Sequence, residues 1–149
     1  MKREHLYRGR CIKINKFVEG SLLKLRSEGY DSRDGQRNAK EPHDKYFIVP
    51  YSTSNTSRQV LIEVDPETIG ECTGLTDRNG NKIFDGDILH VNGWGKFKVV
   101  FCEALFGVKD FNETGDTYDY TLRNILENWD GVEIIGNIHD NPELVGGGE

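Results

Sequence analysis

The chain has 149 residues, a formal net charge of −6, 36% hydrophobic residues and 30% charged residues. This length fits one domain or two small ones, and it is sufficient for a hydrophobic core without disulfide bonds. The apolar runs are too short for a membrane helix, and six Tyr, seven Phe and two Trp exclude general disorder.

Charge is divided unevenly along the chain. Residues 1–45 carry 12 Lys/Arg and 7 Asp/Glu, whereas residues 46–149 carry 7 and 18. A basic segment of this kind binds nucleic acid, an acidic part of its own chain, or an acidic part of a second copy. Five residues are candidates for an interaction surface. Four are basic residues of the first segment and the fifth is an aromatic residue: Arg8, Arg10, Lys13, Lys16 and Trp94.

The three cysteines predict a reducing environment. Cys11, Cys72 and Cys102 are odd in number, far apart and without metal-ligand spacing. The first ten residues are charged and lack the apolar core of a signal peptide. We therefore expect free thiols, a cytoplasmic location and no membrane partner.

The first half predicts short strands separated by polar loops. Residues 7–25 predict a hairpin that turns at Asn15-Lys16, with Ile12 and Ile14 alternating along a strand and Gly20 at a bulge or close backbone approach. Residues 28–45 and 52–59 predict long polar loops, either mobile or functional.

Two further strands and a helical turn complete this half. The sequence predicts strands at 46–51 and 60–64, the second from the alternation of Val60, Ile62 and Val64. Asp65 is the predicted cap of a single helical turn that follows Pro66.

The second half is dense in turn residues. Asn79-Gly80 predicts a type I′ hairpin turn with both residues at φ > 0, Asp85-Gly86-Asp87 a second turn, and Asn92-Gly93 a third. Short strands are predicted between and after these turns. In the last of them, the side chains of Phe97, Val99 and Phe101 alternate with polar or smaller ones and are predicted to face the core. A meander of this spacing is typical of a small barrel.

One helix is predicted near the end of the chain. Leu122, Ile125, Leu126 and Trp129 form one apolar stripe that should face a core or a partner, with Asp119 or Thr121 as N-cap. A last strand at 132–135 follows, and Pro142 is predicted to end the ordered part. The predicted organisation is an N-terminal β-rich part (1–70), a C-terminal barrel with one helix (71–145) and a flexible tail (146–149).

The acidic turns do not predict a metal site or a catalytic one. Counted from Asp77, the calcium-loop template requires Gly and Glu where Lys82 and Ile88 stand. Asp85, Asp87 and Glu133 are acid/base candidates only through the abundance of acids, without a positioned histidine. We expect no metal, no cofactor and no catalytic residue.

Four segments carry a resemblance to a known family. They are YRGRCI, FVEGSL, VDPETIGECTGLTDRNGNKIFDGDIL and VEIIGNIHDNPEL, in this order along nearly the whole chain. The chain resembles the YopX-like proteins of bacterial prophages and phages. It departs from them at Cys72, where members usually carry an aromatic residue, and in the variable loops 28–45 and 52–59.

The resemblance implies an all-β fold with an SH3-like barrel in the C-terminal half. It implies a phage-derived protein of the bacterial cytoplasm, with no established enzymatic activity and no family catalytic residues to transfer. The motif residues have sufficient explanations as turn formers: Asn79, Gly80, Asp85, Gly86, Asp87, Gly136 and Asn137.

Three classes of function follow. The first is a non-enzymatic interaction module that binds a phage or host protein or assembles with itself as a homo-oligomer, since the charge polarity favours contacts between unlike ends. The second is a phage accessory factor associated with nucleic acid through the basic segment and exposed aromatic rings. The third is an enzyme with an unrecognised acidic site.

Overall fold

A computed structural model describes residues 5–27, 43–51, 60–111 and 118–145. The chain divides into an N-terminal unit, His5–Ile69, and a C-terminal unit that begins at Gly70. Both are built from antiparallel strands, and one short α-helix accompanies them, which confirms the all-β class. The predicted loop at 52–59, most of the loop at 28–45 and the tail at 146–149 lie outside the described residues.

Four strands form the N-terminal unit, in the order β4-β3-β2-β1. Their bounds are β1 Tyr7–Arg10, β2 Phe17–Ser27, β3 His43–Val49 and β4 Ile62–Val64. Arg10 pairs with Phe17 and Tyr7 with Gly20, so the predicted first hairpin is confirmed. Strand β3 begins at His43, which corrects the prediction that residues 43–45 are loop.

Strand β4 is bonded on both of its edges. Besides its pairing with β3, it meets the segment after β1 through a bridge between Val64 and Cys11. The Ile12 N–H donates to the Glu63 carbonyl oxygen at 3.2 Å, and the Asp65 N–H donates to the Arg10 carbonyl oxygen at 2.9 Å. The segment after β1 therefore covers the edge of β4 that faces away from β3, and this short strand leaves no long edge to pair with another chain.

Close backbone approach explains the glycine in the middle of this hairpin. A Cβ on Gly20 would lie 2.0 Å from the Val49 carbonyl oxygen, so the predicted close approach is confirmed. Gly20 stays in register with Tyr7, which excludes the alternative of a bulge at this position.

The predicted strand positions of Ile12 and Ile14 are wrong. Both residues lie in the turn between β1 and β2, and both side chains are exposed. The strand ends early because Cys11 turns toward Val64, and Asn15 adopts the left-handed conformation with φ 53°. Apolar residues that alternate across a turn give the same pattern as apolar residues that alternate along a strand.

The helical turn after β4 is confirmed as a 3₁₀ turn at Pro66–Thr68. The Asp65 carboxylate accepts a hydrogen bond from the Glu67 N–H at 3.0 Å, as an N-cap does. The Thr68 hydroxyl oxygen accepts one from the Arg10 N–H at 2.8 Å. The turn is thereby fixed to the end of β1.

The C-terminal unit begins with a hairpin and continues as a five-stranded sheet. The hairpin pairs β5 Gly70–Thr76 with β6 Lys82–Phe84. The sheet has the order β10-β9-β8-β7-β11. Its strands are β7 Asp87–Val91, β8 Gly95–Cys102, β9 Leu105–Asp110, β10 Tyr120–Thr121 and β11 Glu133–Asn137. Closure of this sheet into an SH3-like barrel stays a prediction.

Helix α1, Leu122–Asn128, covers one face of this sheet. Thr121 is its N-cap, because its hydroxyl oxygen accepts from the Asn124 N–H at 3.2 Å. The predicted stripe faces the core, and Leu122 and Ile125 are fully buried. A cluster of buried residues in this unit is aliphatic apart from the Phe97 ring: Ile83, Leu89, Val91, Phe97, Val99, Val108, Leu122, Ile125 and Val132.

Two predictions for this unit are wrong. Phe101 is 50% exposed, because the alternation of β8 loses its core partner after Val99 and the ring instead packs on Phe106. Pro142 does not end the ordered part; it opens a 3₁₀ turn, Pro142–Leu144, where its fixed φ suits a first helical position. Among the described residues, no helix has the length and apolarity that a bilayer crossing requires.

Candidate interaction surface

Four aromatic rings come together in the C-terminal unit, with Trp94 at their centre. Its ring centroid lies 4.6 Å from that of Trp129, 5.2 Å from that of Tyr120 and 6.3 Å from that of Phe97. These separations and tilted geometries are those of favourable aromatic pairs. We call Trp94, Tyr120 and Trp129 the aromatic surface, and buried Phe97 is its base.

The turn between β7 and β8 places Trp94 at its tip. The Trp94 N–H donates to the Val91 carbonyl oxygen at 3.0 Å, and Val91 pairs with Gly95. Gly93 has φ 81° and Gly95 has φ 115°, conformations that glycine adopts without strain. The indole is therefore presented by a short hairpin turn that glycines make possible.

The aromatic surface is open to solvent in the described part of the chain. Trp94 is 45% exposed and Tyr120 is 40% exposed, and Trp129 is half-buried after helix α1. Clustered rings that remain exposed mark interaction sites, and Trp and Tyr are the residues most enriched in binding hot spots. The cluster has the composition of a protein-binding surface.

Two of these rings have an acidic residue as a chain neighbour. Asp119 and Asp130 are the chain neighbours of Tyr120 and Trp129, and the Asp119 carboxylate accepts a hydrogen bond from the Asp110 N–H at 2.8 Å. The described residues of this unit carry six Lys/Arg against twelve Asp/Glu. The aromatic surface therefore favours a partner that brings positive charge.

The basic candidates lie in the N-terminal unit. The guanidinium carbons of Arg8 and Arg10 lie 4.9 Å and 5.3 Å from the centroid of the Phe17 ring, within cation–π range. Lys13 and Lys16 are exposed on the turn between β1 and β2. The structure brings the two arginines to one ring and the two lysines to one turn.

The turn at Asn79-Gly80 is a three-residue loop, not the predicted type I′ turn. Gly80 has φ 81° as predicted, but Asn79 is not at positive φ. The Gly80 N–H donates to the Asp77 carbonyl oxygen at 3.0 Å, and the Asp77 N–H donates to the Asn81 carbonyl oxygen at 2.9 Å. This is a type I turn followed by a left-handed glycine, the usual form of a three-residue hairpin loop.

Asp77 organises this turn and connects it to β11. One carboxylate oxygen accepts from the Asn79 and Asn81 N–H groups at 2.9 Å each, and the other accepts from the Ile134 N–H at 3.1 Å. Burial acts to raise the pKa of Asp77, but these backbone donors and the Asn81 amide together lower it below its ordinary value. This role of Asp77 was not among the sequence-based predictions. The signal was an aspartate two residues before Asn-Gly, where its side chain can bond the turn backbone.

The second turn has the same character. The Asp87 carboxylate is buried and accepts from the Phe84 N–H at 2.8 Å. Gly86 has φ 88°, its N–H donates to the Val99 carbonyl oxygen, and its carbonyl oxygen accepts from the Ile138 N–H. Asp85 lies between Phe84 and Gly86, and its N–H donates to the Glu71 carbonyl oxygen at 3.0 Å.

Gly136 and Asn137 were predicted as turn formers, but both lie at the end of strand β11, just after a register shift, and of the two only Asn137 takes part in the turn that follows. The Asn137 side-chain oxygen accepts from the His139 and Asp140 N–H groups at 3.0 and 2.9 Å. A Cβ on Gly136 would lie 2.4 Å from the Asn141 side-chain oxygen, so a larger residue there would displace the Asn141 side chain. Within the described ranges, no three His, Cys, Asp or Glu side chains lie close enough together to hold a metal ion.

Comparison with known proteins gives a family and a fold. A family model described as YopX protein matches residues 6–146. The crystal structure of protein EF1440 from Enterococcus faecalis is similar over 97% of this chain and 99% of that chain, with a TM-score of 0.51 and 23% sequence identity. At this identity the likeness concerns the fold alone. No curated protein matches the chain.

Proposed function

The chain belongs to the YopX protein family, and from that premise we propose that it is a non-enzymatic protein-interaction module of phage or prophage origin. It acts in the cytoplasm of the bacterial host, and its binding surface is the aromatic surface of the C-terminal unit. The free thiols of Cys11, Cys72 and Cys102 are consistent with a reducing compartment.

The exposed Trp94 cluster is the observation that carries the proposal. The indole of Trp94, on the β7–β8 turn, meets the indole of Trp129 and the phenol of Tyr120 at ring distances of 4.6 and 5.2 Å. Pre-organised rings lose little side-chain entropy on binding, which makes each of them an efficient anchor.

The acidic side chains support a role without catalysis. Asp77 and Asp87 accept hydrogen bonds from backbone N–H groups, and the Glu133 carboxylate accepts from the Asn79 side-chain amide at 3.2 Å. Carboxylates that already accept hydrogen bonds from the protein are occupied, whereas a general acid needs free approach to its substrate.

A second candidate is a phage accessory factor that binds nucleic acid. The observation in its favour is the pair Arg8 and Arg10 on the Phe17 ring, beside the exposed Lys13 and Lys16. Against it, the net charge is −6, and the exposed rings of the aromatic surface lie in the acidic unit. Phosphate neutralisation supplies most non-specific affinity for nucleic acid, so an acidic stacking surface is unfavourable.

Affinity capture from phage-infected bacteria tests the proposal. The intact chain and its Trp94→Ala variant are immobilised, and the retained proteins are compared after treatment with nuclease. We expect at least one protein that the intact chain retains and the variant loses, because truncation of a central Trp removes a hot spot.

Phe101→Ala is the matched control. Phe101 is also an exposed ring of the C-terminal unit, but it packs on Phe106, outside the aromatic surface. This variant should retain the same proteins as the intact chain. Retention that nuclease abolishes would favour the nucleic-acid candidate, and retention that Trp94→Ala leaves unchanged would contradict the proposed surface.

A further inference from the structure

An apolar groove of about 320 Å³ opens on the N-terminal unit. Ile14 on the hairpin turn and Leu61 before β4 are 61% and 45% exposed, and Phe47 of β3 is half-buried between the strands. The groove is lined by apolar side chains with one charge of each sign: Cys11, Lys13, Ile14, Phe47, Leu61 and Glu63. Its volume lies at the lower end of the range for binding pockets, which suits one large side chain.

The charges at the groove favour an acidic partner surface. Glu63 already has a cation, since its carboxylate lies 3.6 Å from the Lys45 ammonium. Lys13 is exposed on the groove lining, and Lys16 is exposed two residues beyond Ile14. The groove therefore combines an apolar floor with Lys13 at its turn side, and Lys16 lies on the same turn.

The aromatic surface has the opposite character in each respect. It presents exposed rings where the groove recedes, and its chain neighbours Asp119 and Asp130 are acidic where the groove carries Lys13. The described residues of the C-terminal unit are net acidic, with twelve Asp/Glu against six Lys/Arg, whereas those of the N-terminal unit carry five against seven. A lysine beside an indole also gains a cation–π attraction.

We infer that the groove of the N-terminal unit receives the Trp94 side chain of a second copy, so that the chain assembles with itself through two unlike surfaces. This inference rests on the proposed function and names its partner. A contact between unlike surfaces joins copies head to tail, in a closed ring or a continuing filament.

Sedimentation analysis of complementary variants tests the inference. Trp94→Ala removes the projecting ring, and Ile14→Glu places a carboxylate in the groove against an acidic partner. Each variant alone should associate at least about tenfold more weakly than the intact chain. An equal mixture of the two should form heterodimers, because Trp94 of the second variant still meets an intact groove on the first.

Charge reversal provides variants that leave both surfaces folded. Lys13→Glu and Asp130→Lys change exposed side chains, each should weaken association, and their mixture should associate more strongly than either alone. Leu25→Glu, an exposed apolar position on β2 away from the groove lining, is the control and should associate like the intact chain.

Two outcomes would overturn the inference. One is a mass of a single chain, 17.0 kDa, at tens of micromolar in both low and high salt. The other is self-association that Trp94→Ala or Ile14→Glu leaves unchanged. Neither outcome touches the proposed function if the capture experiment finds a foreign protein that depends on Trp94, so the two failures are distinguishable.

Discussion

Asp77→Asn is predicted to destabilise the C-terminal unit although it changes a single atom. Asp77 is 6% exposed, and its carboxylate accepts backbone N–H groups from both the β5–β6 turn and β11. Asparagine can keep the two bonds within the turn through its side-chain oxygen. Its amide nitrogen then faces the Ile134 N–H, and two donors oppose each other.

The magnitude follows from the bonds that change. Two hydrogen bonds to a charged acceptor become neutral ones, at a cost of about 1 kcal/mol each. One N–H group in a partly buried position loses its acceptor, which costs about 1–3 kcal/mol. Because these effects are not additive, we expect a loss of about 2–4 kcal/mol in the free energy of unfolding.

Urea unfolding at pH 7, followed by circular dichroism, measures this loss as a lower midpoint at unchanged slope. Asp130→Asn, the same substitution at an exposed site, is the control and should stay within about 0.5 kcal/mol of the intact chain. A loss for Asp77→Asn no larger than that of the control would refute the role of Asp77.

The pH dependence provides an independent check. The pKa of Asp77 is lowered in the folded state, so the carboxylate stabilises the fold fully above its ordinary pKa of 3.8. That contribution is lost as the pH falls through the folded pKa. Protonated aspartate resembles asparagine, and the difference between the two proteins should therefore shrink below about pH 4. A difference that is constant from pH 7 to pH 2 would contradict the charge assignment.

Three further predictions concern turns, helix and metal. Gly80→Val should lower the free energy of unfolding in urea by about 1–3 kcal/mol, because φ 81° strains a β-branched residue although a Cβ at this position would meet no atom within 4 Å. An unchanged free energy would contradict the left-handed conformation of Gly80. Ile125→Ala should lower the free energy of unfolding by about 2–5 kcal/mol and Leu126→Ala by less, since Ile125 is fully buried and Leu126 is partly exposed. A larger loss for Leu126→Ala would contradict the assignment of the helix face that packs on the sheet. Millimolar calcium should leave the melting temperature unchanged, because both oxygens of Asp77 already accept N–H donors; a rise of several degrees would indicate a site.

Local chemistry predicted the elements whose signals lie close together in the sequence. Asp65 before a proline predicted the capped 3₁₀ turn, and the apolar stripe after Thr121 predicted the capped helix and its buried face. Both features depend on contacts within a few residues, where spacing decides the geometry. The same reasoning found the first hairpin, but it extended the first strand to Ile14, whereas β1 ends at Arg10.

The failures share a cause, which is that distant contacts decided the outcome. The bridge from Cys11 to Val64 ends β1 before Ile12, and no local sequence pattern predicts a partner 53 positions away. Phe101 alternates correctly along β8 but has no core to enter. The form of the turn at Asn79 was decided by Asp77, whose third backbone donor comes from Ile134.

The candidate site could be predicted only in part. The sequence singled out Trp94 and the basic residues, but it gave no reason to place Tyr120 and Trp129 beside Trp94. Their rings come from β10 and the end of helix α1, and only the folded sheet brings them to the turn after β7. A cluster of this kind is a property of the tertiary structure.

Intrinsic fluorescence tests the central claim most directly, since the chain contains two tryptophans and both belong to the aromatic surface. Emission and acrylamide quenching are measured for the free chain and for the same chain in a complex, whether with a captured partner or with further copies. We predict a shift of the emission to shorter wavelength and weaker quenching on binding, because the indoles leave water. Unchanged emission and quenching in a complex whose mass is established would contradict the claim that this surface binds the partner.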